Sequence, residues 1–181
     1  MLGYEIGGFI NGSISRSFGT MSPNWRGRRV ALVIGNSNYI NVSPLRNPRH
    51  DAHAIADALQ RSGFAQVTER HDLQTGAMIE EIESFSRLAK GADWAVVYYA
   101  GHGIEINGVN YLLPVEFDLS TGDDIARKAV PLARLLDKVG VARRLNLVIL
   151  DACRNNPFAD MVASAERDRP PSKNRARAAT Q

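Results

Sequence analysis

Residues 94–103 read WAVVYYAGHG and residues 145–155 read LNLVILDACRN. Each is a short apolar run that closes on a reactive side chain rather than on a plain turn. Trp94 to Tyr99 and Leu145 to Leu150 have the length and the β-branched and aromatic content of buried parallel strands. His102 follows the first and Cys153 the second. A cysteine hydrolase needs this pair side by side, because the thiolate attacks and the departing amine must take a proton. In open parallel sheets ligands sit in the crevice at the carboxyl ends of the strands. Two neighbouring strands ending in His102 and Cys153 would bring both groups to one rim.

Outward from these strands, apolar runs alternate with amphipathic ones. Val30 to Ile34, closed by Gly35-Asn36, reads as a buried strand. Asp51 to Ser62 places Ala54, Ile55, Ala58 and Leu59 at helical spacing and stops at Gly63. Phe64 to Arg70 reads as a further strand. Thr75 can cap a helix whose Met78, Ile79, Ile82, Phe85 and Leu88 or Ala89 form one face, ending near Gly91. Asn107-Gly108 between apolar positions of 104–113 is a hairpin signal. Pro131 to Val139 predicts a short helix with Leu132, Leu135 and Leu136 inward. The order predicts an α/β fold: an open, mainly parallel sheet with helices on both faces, plus a small β-hairpin after the third strand.

Composition narrows the classes. The chain has 181 residues, enough for one well-packed domain. Its net charge of +3 is uneven, since residues 30–162 hold 13 basic against 16 acidic side chains and the excess cations lie at the ends. That distribution argues against a nucleic-acid reader, which places Lys and Arg on a folded face. No apolar run of about 18 residues is present, and Met1 to Ser22 is too polar for a secretory stretch. The expectation is a soluble, cytoplasmic protein without a membrane partner. One cysteine excludes an internal disulfide and a multi-thiolate metal site. The boundaries expected are a weakly ordered extension over 1–26, a folded domain over 27–162, and a disordered basic tail over 163–181 containing Pro170-Pro171.

Over roughly 29–158, with Ala31-Leu32-Val33-Ile34-Gly35-Asn36, Gly101-His102-Gly103 and Leu150-Asp151-Ala152-Cys153, the sequence resembles the caspase-like cysteine peptidases, most closely their paracaspase and bacterial metacaspase-like branch. The 51 residues from His102 to Cys153 agree with the caspase pair, about 50 apart. The resemblance implies Cys153 as nucleophile, His102 as acid/base, and the backbone N–H groups of Gly103 and Cys153 as oxyanion donors. True caspases carry Gln two residues before the cysteine and cleave after Asp, whereas Asp151 stands there in this chain. Resemblance to paracaspases and metacaspases implies that Asp151 and Asp51 line a pocket for a substrate Arg or Lys, and a carboxylate at a pocket floor would favour a cation and reject an acidic side chain. The implied partner is a protein or peptide with a basic P1 residue. No organic cofactor is needed. Some metacaspases are calcium-activated, and the sequence has no acidic loop of the EF-hand kind.

Plainer readings stand beside these. A lone cysteine is usually buried filler, Asp51 suits a helix cap or first turn, and Asp151 could stabilise its turn. His50 and His53 share a helix face without further ligands, so no metal site is expected. In the family a smaller segment follows the catalytic half, adding strands and completing the groove. Ordered patterning here fades five to ten residues after Cys153. That segment then lies on a partner chain, the sequence is truncated, or the chain is an incomplete signalling module.

Overall fold

The computed structural model describes residues 27–118 and 128–152. Cys153, the extension over 1–26 and the tail over 163–181 lie outside the described residues. In chain order the elements are β1 (Arg29–Gly35), α1 (Pro48–Arg61), β2 (Gln66–His71), α2 (Thr75–Ala89), β3 (Trp94–Ala100), β4 (Gly103–Ile106), β5 (Val109–Leu112), β6 (Val130–Pro131), α3 (Leu132–Val139) and β7 (Leu145–Asp151).

Four parallel strands form the main sheet in the order β2-β1-β3-β7. Its central strands are apolar throughout because both faces are covered. On one face Leu32 and Ile34 of β1 and Val97 and Tyr99 of β3 meet Met78, Ile82 and Phe85 of α2 and Leu135 of α3. On the other, Val33, Tyr98 and Ala100 meet Ala52 and Ala56 of α1. The expected α/β architecture with helices on both faces is present.

The hairpin also forms as expected, with β4 paired antiparallel to β5. Asn107 (φ 53°) and Gly108 (φ 79°) both take the left-handed conformation that a two-residue turn matching strand twist demands. β6, absent from the sequence reading, pairs with β5 and makes a three-stranded sheet.

Several expectations change. Thr75 is the first helical residue of α2 rather than its cap. The Glu116 carboxylate accepts from the Thr75 N–H at 2.7 Å, and the Thr75 hydroxyl donates to the Lys128 carbonyl at 3.1 Å. A distant side chain thus does the capping work. In α1 the inward face carries Ala52 and Ala56, with Ile55 and Leu59 beside them, while Ala54 and Ala58 are exposed. Leu136 of α3 is exposed. The largest change is β7, expected as a buried strand. Among the described residues it is the sheet edge, and Leu145, Leu147, Ile149 and Leu150 are 36% to 41% exposed.

Candidate functional site

Gly35 ends β1 where α1 begins. A Cβ there would lie 2.5 Å from the Pro48 carbonyl and 2.7 Å from Ala52 Cβ, so only glycine lets the helix start so close to the sheet. Pro48 occupies the first turn, where its missing N–H costs nothing. This seats Asp51, in that first turn, above the carboxyl ends of β1 and β3.

The loop after β1 is tied down by Asp72. Its carboxylate accepts from the Ser37 N–H at 2.7 Å, the Asn38 N–H at 2.9 Å and Asn38 Nδ2 at 2.7 Å. Burial pushes the Asp72 carboxyl up, but these hydrogen bonds and the nearby Arg49 charge outweigh it and hold the group below its ordinary value.

The same loop delivers Tyr39 and Ser43 to His102, which sits half-buried between β3 and β4. The His102 N–H donates to Tyr39 Oη at 2.7 Å, and the rings lie 4.5 Å apart with planes tilted by 58°. The His102 carbonyl accepts from Tyr99 Oη at 2.8 Å and from the Leu113 N–H at 3.0 Å. His102 Nε2 lies 2.9 Å from the Ser43 carbonyl. A carbonyl only accepts, so Nε2 carries the proton in this bond and Nδ1 is left for acid/base exchange.

The two tyrosines need hydrophobic cover and a polar partner at once. Burial raises the hydroxyl pKa of both Tyr39 and Tyr99, keeping them neutral donors. Asn36, fully buried, joins them: its Nδ2 donates to the Leu113 carbonyl at 3.2 Å while its Oδ1 accepts from the Leu73 N–H at 3.0 Å. A Cβ on Gly101 would stand 2.6 Å from Tyr39 Oη and 2.7 Å from Tyr99 Oη, which explains the glycine before the histidine.

β3 and β7 end level with each other. Ala100 faces Asp151 in the parallel register, and the Gly101 N–H donates to the Asp151 carbonyl at 3.3 Å. His102 therefore stands two residues past one member of that pair, and Cys153 two residues past the other in sequence. Ala152, the last described residue before the cysteine, approaches Gly103: a Cβ built on Gly103 would lie 3.5 Å from Ala152 Cβ, an ordinary contact. Packing of the described residues does not itself require glycine at 103. A cavity of about 220 Å³ opens there, with Leu132 and Leu150 also in its wall.

Of the five residues singled out from sequence, the structure gathers His102, Gly103, Asp51 and Asp151 at the carboxyl edge of the sheet, and Cys153 lies outside the described residues. Tyr98, on the α1 face, donates its hydroxyl to Asp151 Oδ2 at 3.1 Å. Burial, then that bond, then the charges of Asp151 and Asp51 push the Tyr98 hydroxyl well above its ordinary pKa. Both carboxylates thus act on one buried phenol. Tyr39, Ser43, Tyr98 and Tyr99 were not singled out from sequence. For Tyr98 and Tyr99 the signal was a hydroxyl on a strand otherwise rich in Ala and Val, since a buried Tyr must find a partner, whereas Tyr39 and the Ser43 carbonyl lie in the loop after β1 and carry no such signal.

The remaining histidines form a separate cleft with Arg46 and Arg49. There Glu69 lies 2.9 Å from His71 Nε2 and 3.3 Å from His53 Nδ1. Among the described residues no group of three or more His, Cys, Asp or Glu side chains has metal-binding geometry. Among the described residues no helix is long and apolar enough to cross a membrane.

Human mucosa-associated lymphoid tissue lymphoma translocation protein 1 is 28% identical over 135 residues, 74% of this chain, and its mouse homologue is 27% identical over the same length. The match spans 16% of each relative. The family model Peptidase_C14, described as Caspase domain, matches residues 28–180. With its parallel sheet and its Gly-His-Gly and Asp-Ala-Cys strand ends, the chain belongs to the caspase domain family.

Proposed function

We propose that this chain is a cysteine endopeptidase that hydrolyses peptide bonds after Arg or Lys through Cys153 and His102. The observation that carries the reading is the level ending of β3 and β7, with Ala100 opposite Asp151. Each strand then continues by two residues to the imidazole or to the thiol. The Cys153 thiolate attacks the scissile carbonyl carbon, and the resulting oxyanion takes hydrogen bonds from the Gly103 and Cys153 N–H groups. Collapse of this intermediate breaks the C–N bond as His102 Nδ1 passes its proton to the leaving amine. Water then attacks the thioester while His102 takes its proton, and the thiolate leaves. Asp51 and Asp151 receive the substrate cation.

A fluorogenic peptide series tests the reading. It predicts turnover of a P1-Arg peptide, little turnover of a P1-Asp peptide, and at least a 10³-fold loss in Cys153→Ala, on the order expected for removing a nucleophile. Turnover that survives in Cys153→Ala overturns it.

A second reading, an assembly-dependent module, is favoured by β7. A strand that is the sheet edge among the described residues, with four apolar side chains more than a third exposed, is a template for another chain. In this reading a partner segment completes the groove, and activity appears only when it is supplied.

A further inference from the structure

We infer that Tyr98 is the positioning residue of the proposed cation pocket: it holds one oxygen of Asp151 and thereby presents the other, together with Asp51, to the P1 side chain. This rests on the endopeptidase reading above and adds to it a residue that touches no substrate.

Alternation along a strand sends successive side chains to opposite faces. Tyr98 and Ala100 of β3 point to the α1 face, as their packing with Ala52 and Ala56 shows. Asp151 lies opposite Ala100 and so emerges on that face, within reach of a tyrosine two residues back. The Tyr98 ring is 5% exposed and wedged under α1, so its hydroxyl has little freedom to follow the carboxylate. Asp151, at the strand end, is exposed and has no other side-chain partner among the described residues.

A carboxylate anchored by one oxygen at 3.1 Å is restricted in its rotation. Its second oxygen then faces outward, and Asp51 supplies acceptors from the neighbouring helix turn. Two acceptors on separate residues suit a planar guanidinium with several N–H donors better than an ammonium, which acts as a point charge. An Asp151 carboxylate free to rotate keeps its charge but loses that geometry. Tyr98→Phe keeps the ring and its packing and removes only the hydroxyl.

Steady-state kinetics on matched P1-Arg and P1-Lys peptides provide the test. In Tyr98→Phe we expect KM for the P1-Arg peptide to rise about fivefold, the equivalent of one ordinary hydrogen bond. We expect kcat to stay within about twofold and the Arg-to-Lys preference to fall. In an Asp151→Ala background the same substitution should have no further effect on KM, because the group it orients is gone. Calorimetric binding of the P1-Arg peptide to the Cys153→Ala chain, with and without Tyr98→Phe, reads the pocket independently of turnover. Unchanged KM and affinity in Tyr98→Phe overturn the inference alone. A chain that neither cleaves nor binds the P1-Arg peptide overturns both the inference and the endopeptidase reading.

Discussion

The backbone N–H of His102 donates to the phenolic oxygen of Tyr39 at 2.7 Å, 63 residues away in sequence. The contact joins the loop after β1 to the turn after β3, and the tilted rings pack at 4.5 Å. Together with the Ser43 carbonyl on Nε2 and the Tyr99 hydroxyl on its own carbonyl, it fixes the imidazole without using Nδ1. The orientation of the proposed acid/base is thus built by a loop that the sequence marks only through Gly35-Asn36.

Tyr39→Phe leaves the His102 N–H without its acceptor and should cost about 1–3 kcal/mol, the price of a stranded buried donor. Denaturant unfolding measures that loss. In a chain that turns over a P1-Arg peptide, kcat should fall about tenfold while KM changes little, because the imidazole is misaligned and the cation pocket is intact. An equal loss of binding would show that Tyr39 serves the pocket instead.

Gly101→Ala places a methyl group within 2.7 Å of both buried hydroxyls. Neither tyrosine can withdraw without breaking its bond to the His102 backbone. The expected cost is about 1–3 kcal/mol, as for other overpacked sites, read as a lower Tm by calorimetry. Gly76→Ala is the matched control, since a Cβ there meets nothing within 4 Å.

Asp72 sets an acid limit on the same loop. Its carboxyl is held below the ordinary value in the folded chain. Its stabilising contribution is therefore full above the unfolded carboxylate value, about pH 4, and is lost as pH falls through the lower folded value. Urea unfolding of the unsubstituted chain and of Asp72→Asn should differ most near neutrality and converge on acidification. A gap that widens on acidification would contradict the assignment.

What the sequence made legible followed from local rules. Val30 to Ile34 and Trp94 to Tyr99 could only be strands covered on both faces, and Asn107-Gly108 could only turn tightly. The positions of His102, Gly103, Asp51 and Asp151 at one rim follow once those strands are parallel neighbours. What was not legible depends on partners far along the chain. Thr75 resembled a cap, but Glu116 satisfies the helix start from 41 residues away. The pairing of Val130-Pro131 with β5 leaves no periodic signal in two residues. Leu145 to Leu150 reads the same whether both faces are packed or not, so its position at the edge could not be inferred from its own composition.

That edge carries a prediction of its own. Leu147 and Ile149 are 41% and 40% exposed on a strand that is paired on one side only among the described residues, so the purified chain should self-associate as its concentration rises. Leu147→Lys with Ile149→Lys should shift sedimentation toward the monomer. A sedimentation profile unaffected by the double substitution would remove β7 from consideration as a contact surface.

The central claim is that His102 activates Cys153. The rate of Cys153 alkylation by iodoacetamide against pH, in the unsubstituted chain and in His102→Ala, tests it without requiring a completed groove. The account predicts rapid alkylation well below pH 8 in the unsubstituted chain, and in His102→Ala a return to the profile of an ordinary thiol, near pH 8.5. Superimposable profiles in the two chains would contradict it.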